Sequence, residues 1–254
     1  MSNKTKIALV TGGSRGLGKS MALELAKKGL DVILTYHSKQ EEADKVVSEI
    51  EAMGNKATFL QLDVTSSNTF DKFKDDIKTI LKSKFKTTHF DYLINNAGVG
   101  VYAPYDKITE AQLESMFKIH INAPFFLTQK LASLLNNGGG IVNISSGLAR
   151  FTMSGHSAYA TMKGGIETLT KYQAIFFGER KIRVNVVAPG AIETDFGGGV
   201  VRDNEELNNY IASTTALGRV GLPDDIGSVV AFLCTDDAKW VNAQRLEVSG
   251  GINF

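Results

Sequence analysis

The chain opens on a four-residue apolar run, Ile7–Val10, that passes directly into a turn with glycine at 12, 13, 16 and 18. A continuous apolar run of this length suits a strand buried on both faces, as in a parallel sheet covered by helices. The same device recurs at 31–36, 56–62, 92–94, 140–144, 182–187 and 245–248. Helical stretches separate these runs at 21–28 (closed by Gly29), 41–53, 68–82, from Thr109 onward and around Tyr159. Such alternation predicts the α/β class: a doubly wound parallel sheet of about seven strands, with helices on both faces. At 254 residues with no repeat, linker or low-complexity tract, a single domain over 1–254 is expected.

Bulk properties exclude several functions. The hydrophobic fraction is 43% and the charged fraction 22%, those of an ordinary globule. A net charge of +1 without a basic block argues against nucleic acid as a partner. One cysteine and four scattered histidines provide neither a disulfide framework nor metal-ligand spacing, so no metal is expected. No apolar run approaches the ~18 residues of a membrane span. The polar start 1–6 leads straight into a strand, with no room for a signal peptide, so a cytoplasmic protein is expected.

The first turn supports two readings. Residues 13–20, Gly-Ser-Arg-Gly-Leu-Gly-Lys-Ser, fit the phosphate-binding pattern G-x-x-x-x-G-K-[ST], and Asp63 could serve as the Mg²⁺-linked acid of an NTPase. The same residues fit a dinucleotide loop, Thr11-Gly12-x-x-x-Gly16-x-Gly18. In that case the glycines let the backbone approach a pyrophosphate at the helix N-terminus, and Lys19 points to solvent. The loop alone does not separate them. An NTPase has no use for Asn96, Ala97, Gly98, Ser146, Tyr159 or Lys163, whereas a hydride-transfer enzyme uses all of them.

Tyr159 and Lys163 lie four residues apart in a helical stretch, on one face a turn apart. A phenol of ordinary pKa ~10 is a poor acid or base at pH 7, and a neighbouring ammonium is expected to lower it. Ser146, thirteen residues upstream at the end of an apolar strand, could hydrogen-bond the oxygen that the tyrosine protonates. Taken alone, the pair also fits an amphipathic tyrosine beside a solvated lysine.

Together these pieces resemble the short-chain dehydrogenase/reductase family over essentially the whole chain. The matching residues, in order, are Thr11-Gly12-x-x-x-Gly16-x-Gly18, Asp63-Val64, Asn95-Asn96-Ala97-Gly98, Asn122, Ser146, Tyr159-x-x-x-Lys163, Pro189-Gly190 and Thr194. Within the family the chain is most similar to 3-oxoacyl-carrier-protein reductases, through Thr-Gly-Gly-Ser-Arg-Gly and Ile192-Glu-Thr-Asp195. The resemblance implies a Rossmann-type fold and an oxidoreductase that interconverts a ketone and a secondary alcohol, with Tyr159 as general acid and base. Ser146 would polarise the carbonyl, Lys163 would hold the nicotinamide ribose and lower the Tyr159 pKa, and Asn122 would link Lys163 to solvent through a water. Pro124 predicts a kinked helix over 120–124 that frees carbonyls for that water. Gly12, Ser14, Arg15, Gly16, Leu17 and Gly18 would hold the pyrophosphate end. Asp63 and Val64 would flank the adenine, Asn96, Ala97 and Gly98 the adenosine ribose, and Pro189, Gly190, Ile192 and Thr194 the nicotinamide.

Cofactor choice follows from charge. An NAD site places an acid at the end of the second strand, and here 35–39 read Thr-Tyr-His-Ser-Lys, with no acid before Glu41. Arg15, with His37 and Ser38, fits the 2′-phosphate of NADP(H), which is therefore expected over NAD(H); an NAD-dependent alcohol dehydrogenase of the same family is the alternative. Wall residues Val99 to Tyr105, Phe151 to Met153, His156 and Phe196 are largely apolar, so a small hydrophobic ketone or alcohol is the expected substrate. Gly197, Gly198 and Gly199 read as the hinge of a lid over 191–215. The Tyr159 helix is apolar nearly all round, which predicts burial of its second side against another subunit, with a homotetramer as the family precedent.

Overall fold

In the computed structural model, which describes residues 5–253, seven parallel strands form one sheet in the order β3-β2-β1-β4-β5-β6-β7. Met1 to Lys4, the polar start, and Phe254 lie outside the described residues. The elements run β1 (Ile7–Val10), α1 (Gly16–Lys27), β2 (Asp31–Tyr36), α2 (Gln40–Ala52), β3 (Ala57–Gln61), α3 (Phe70–Ser83), β4 (Phe90–Asn95) and α4 (Glu110–Phe117). They continue with α5 (Ala123–Leu131), β5 (Leu135–Ile144), α6 (Ser157–Phe177), β6 (Arg183–Pro189), α7 (Val200–Asp203), α8 (Glu205–Ser213), α9 (Pro223–Leu233) and β7 (Arg245–Val248). The predicted doubly wound sheet is the one observed.

Each face of the sheet carries its own core. On one face α1 buries Met21, Ala22, Leu25 and Ala26 beside Ile226 and Val230 of α9. On the other, α3 buries Phe70, Phe73, Ile77 and Leu81 with Leu127 and Leu131 of α5 and Phe177 of α6. The 3–4 spacing of those side chains is what makes each helix bury one stripe. Each full burial of a Leu or Phe contributes about 1.5–3 kcal/mol, so truncating Phe73 to Ala should open the α3 face. Because β1 and β4 are neighbours while their crossovers leave to opposite faces, a crevice opens at their carboxyl ends, where ligands of such sheets bind.

Several local expectations change. Helix α1 begins at Gly16 rather than 21, so its N-terminus lies inside the glycine turn. Strand β5 begins at Leu135 rather than 140; a register shift opposite Phe90/Tyr92 takes the Asn-Asn-Gly-Gly turn into the strand, with Gly138 at φ +80°. The predicted kink takes the form of a π-turn over Lys118–Asn122. Pro124 follows directly as the second residue of α5, within a continuous helical stretch, so its missing N–H coincides with the irregular turn. On α6 one stripe is core, and Tyr172, Ile175 and Phe176 on the other side are 72%, 81% and 75% exposed in the single chain, so that side is left uncovered by the chain's own core. No helix among the described residues is long and apolar enough to cross a membrane.

Candidate active site

The floor of the crevice is built from the glycine turn. Gly12 and Gly16 take φ of +64° and +53°. A Cβ on Gly18 would overlap the Gly12 carbonyl oxygen, and one on Gly13 would lie 2.7 Å from Leu34 Cβ. The turn is tied down by polar side chains. Gly12 N donates to Thr35 Oγ1 (3.0 Å) and Gly13 N to Thr35 O (2.8 Å). Asn96 Nδ2 donates to Thr11 O (2.8 Å) and to Gly12 O (3.1 Å), while Asn96 N and Ala97 N donate to Thr11 Oγ1 at 2.9 and 3.0 Å. The amide nitrogen of Asn96 therefore holds the loop. No side chain caps α1 and its first turn has no acid, so the backbone N–H groups there favour an anion. These features fit a dinucleotide phosphate.

The other cofactor residues gather round this floor. Gly16 stands against Thr194, with Thr194 Cβ 3.7 Å from where a Gly16 Cβ would be, so the turn meets the segment after β6. Pro189 ends β6; Gly190 N bonds Val248 O (3.0 Å), and Ile192 bridges to Gly221. Arg15, His37 and Ser38 are exposed, Arg15 with no ion pair among the described residues. Asp63 closes its own turn, accepting from Thr65 N, Thr65 Oγ1 and Ser66 Oγ; burial would raise its pKa, but these bonds outweigh it and the carboxyl is held low. Val64 is half-buried beside it. Lys19 pairs with Glu49 of α2 at 2.7 Å rather than reaching into the turn. With Asp63 so engaged, the NTPase reading loses both of its residues.

Ser146, Tyr159 and Lys163 converge at the end of β5. Lys163, 5% exposed, donates from Nζ to Ile144 O (2.8 Å), and the same nitrogen lies 5.3 Å from the centre of the Tyr159 ring. Burial pushes its pKa down to about 7. The expected depression of the Tyr159 phenol is not what this environment produces. Burial raises it well above its ordinary value, and the only opposing influence is the Ser146 hydroxyl. The reason is geometric: the ammonium lies over the ring and bonds a carbonyl instead of the phenolic oxygen. Asn122 Oδ1, on the π-turn, is the one buried side-chain polar atom without a partner among the described residues.

Residues that the motifs do not mark support this group. Ser145 Oγ lies 3.1 Å from Lys163 O and 2.7 Å from Glu167 Oε1, and Arg245 Nε donates to the same Glu167 oxygen (2.6 Å). Glu167 is one helical turn past Lys163, a spacing visible in the sequence; Arg245 on β7 has no such signal. Above the site Phe196 packs on Tyr159 (centroids 5.7 Å apart) and against Gly100, while Tyr102 meets His156 edge-on at 5.5 Å. The segment after Thr194 is tied by Arg202, which bonds Asp195 (2.6 Å) and Asp203 (2.7 Å), and Asn204 caps α8.

A doubly wound sheet with a glycine turn at its switch point and a buried Tyr–Lys pair above it belongs to the dinucleotide-dependent oxidoreductases. The pattern of the family described as Enoyl-(Acyl carrier protein) reductase matches residues 12–253. The hydroxynaphthalene reductase-like protein Arp2 of Metarhizium guizhouense (strain ARSEF 977) is 36% identical over 257 residues, covering 97% of this chain and 94% of that protein. A short-chain dehydrogenase/reductase of Pestalotiopsis microspora is 37% identical, with the same coverage. Among solved structures, the angucycline C-6 ketoreductase LanV with bound NADP superposes with a TM-score of 0.92 at 32% identity, over 98% of this chain and 96% of that one. The same enzyme with NADP and rabelomycin gives 0.88 at 33% identity, over 98% of this chain and 97% of that one. The chain belongs to the short-chain dehydrogenase/reductase family.

Proposed function

We propose that this protein is an NADP(H)-dependent reductase of hydrophobic, ring-bearing ketones, with Asn122, Ser146, Tyr159 and Lys163 as its catalytic set. The observation that carries the reading is the convergence of Ser146, Tyr159 and Lys163 at the end of β5, beside the glycine turn. NADPH, when bound, supplies the hydride. Ser146 Oγ orients the substrate carbonyl, and the Tyr159 hydroxyl gives its proton to the oxygen as negative charge develops there. A phenol with a raised pKa is fully protonated at neutral pH and still more acidic than the alcohol formed when it protonates the developing alkoxide. Lys163, at about 7, exchanges protons in the working range and restores the phenol; Asn122 Oδ1 is free to hold a water on the route to solvent.

Gly12, Ser14, Arg15, Gly16, Leu17 and Gly18 hold the phosphates in this reading, and Asp63, Val64, Asn96, Ala97 and Gly98 the adenosine. Pro189, Gly190, Ile192 and Thr194 line the nicotinamide end. Arg15, exposed in the glycine turn, and His37 and Ser38, exposed just after β2, face the 2′-phosphate in this reading. LanV is crystallised with NADP and rabelomycin, and the aromatic side chains Tyr102, Phe151 and Phe196 here support a flat substrate. The chain works as one domain with 191–215 as its lid. The exposed apolar stripe of Tyr172, Ile175 and Phe176, with Phe117 and Phe125 also exposed, supports a homo-oligomer, a dimer or tetramer. A cytoplasmic setting accords with a single buried, unpaired cysteine.

Tyr159→Phe is the direct test. Turnover of a two-ring ketone such as 1-tetralone with NADPH should fall about 10³-fold while NADPH binding, followed by fluorescence, stays unchanged. Undiminished turnover would remove Tyr159 from the mechanism.

A further inference from the structure

The proton route described above leaves one buried titratable side chain at the site without a task. His120 lies on the π-turn, two residues before Asn122, and is 3% exposed. Its Nε2 is 2.7 Å from the carbonyl oxygen of Val99, in the segment that follows β4 and forms one wall of the cleft. A carbonyl only accepts, so Nε2 carries the proton and Nδ1 is the lone-pair nitrogen. The ring also stands edge-on to Tyr159, centroids 5.2 Å apart at 88°. Its remaining edge is pressed on Gly98, where an added Cβ would lie 2.8 Å from His120 Cε1. A single imidazole thus touches the cleft wall, the residue ahead of it and the ring of the proton donor. Burial, followed by the charge of Lys163, pushes its pKa down to about 3, so it is a neutral, fixed tautomer at working pH. The π-turn is what delivers it: the wider turn sets His120 and Asn122 into the same site, and such turns recur at functional positions.

We propose that His120 is a positioning residue of the reductase, holding the Val99 wall through its Nε2–H and the Tyr159 ring through its edge, so that one side chain sets the gap in which the ketone is placed. This rests on the reductase reading above. The two tasks are separable. His120→Gln keeps an N–H donor at similar reach and loses the ring; His120→Phe keeps a ring and leaves the Val99 carbonyl without its donor.

Steady-state kinetics with NADPH and 1-tetralone, normalised to active sites counted by NADPH titration, reads the two apart. Misplacement of reacting groups by ~1 Å costs as much as 10²-fold, so His120→Gln should lower kcat about tenfold with KM within about threefold. His120→Phe should raise KM for the ketone about tenfold with kcat within about threefold. A purely structural role would lower the count of active sites and the melting temperature in both variants while leaving the normalised kcat and KM unsplit, and that result overturns the proposal. Imidazole ¹⁵N NMR of the wild-type protein gives an answer that does not depend on either variant folding. The Nε2–H neutral tautomer is expected, and an Nδ1–H tautomer or a cation refutes the bond to Val99. Wild-type protein that binds NADPH but reduces no ketone refutes the reductase reading and the positioning role with it. Active wild-type protein with unsplit variants refutes the positioning role alone.

Discussion

Two glycine-rich turns flank the cleft, and they use glycine for opposite reasons. In the 12–18 turn the residues are glycine because there is no space: Gly18 abuts the Gly12 carbonyl, Gly13 abuts Leu34, and Gly12 lies against the Ala97 backbone. Thr11, Thr35 and Asn96 hydrogen-bond that turn into one conformation. In the 197–199 turn all three glycines take positive φ, at 63°, 78° and 80°. There Gly198 has open space around it, and the segment is held mainly by the exposed Arg202 pairs with Asp195 and Asp203. Close packing fixes the first turn, as its proposed role of holding phosphate requires, while backbone freedom suits the second to the hinge proposed for it. Surface ion pairs of the second kind hold little.

The sharpest way to break this contrast is Gly18→Ala. Its Cβ would overlap backbone, which cannot yield as a flexible side chain can. NADPH affinity measured by fluorescence titration should fall about 100-fold or more, a cost of about 3 kcal/mol. Retained affinity would mean that the turn relaxes as the lid does. Next in size is Asn96→Ala, which removes the donor to Thr11 O and Gly12 O. Chemical denaturation should report a loss of about 1–3 kcal/mol, with a matching rise in the NADPH dissociation constant. A neutral result would show that the cradle is held by packing alone.

The contrast also has a pH signature, since His120, Tyr159 and Lys163 are buried at the site while no titratable side chain of 191–215 is. His120 titrates near 3 when folded against an ordinary 6.5. As pH falls from about 6.5 toward 3 the unfolded chain takes up a proton that the folded chain refuses, so stability drops with falling pH. His120→Gln should flatten the part of that slope that belongs to the imidazole, read as the difference between the two denaturation curves across the window. Lys163 acts at the other end. Folded it releases its proton near 7, unfolded near 10.5, so stability should rise from pH 7 until about 10, where the raised phenol of Tyr159 begins to act in the opposite sense. Lys163→Met should abolish that rise.

Much of this architecture is legible in the sequence because the determinants are local. A short apolar run followed by a glycine turn makes a buried strand and a helix start, and Tyr159 with Lys163 share a face by spacing alone. What resists reading is set by tertiary neighbours. The pairing of Lys19 with Glu49 spans two helices, and no spacing in the sequence announces it. The direction of the Tyr159 shift depends on where the Lys163 ammonium points, which the four-residue spacing does not determine. Pro124 announces an irregular helix but not a π-turn, so the delivery of His120 into the site is invisible in Lys-Ile-His-Ile-Asn. The start of β5 was hidden for a related reason: Asn and Gly residues normally end a strand, and here the bulge opposite Asp91 absorbs them.

The smallest expected effect is at the hinge. Gly198→Ala meets no neighbouring atom, so its only cost is a left-handed backbone at φ +78°, about 1–2 kcal/mol for a residue with a Cβ. If 191–215 moves as the proposed lid, that strain should appear as a shift of the segment's own equilibrium rather than as a lower melting temperature. NADPH affinity should stay within about twofold, and kcat/KM for 1-tetralone should change about three- to tenfold. The same glycine-to-alanine change would then abolish cofactor binding at 18 and merely retune substrate access at 198. If both variants lose cofactor affinity alike, the lid is part of the cradle and the division drawn between the two turns is wrong.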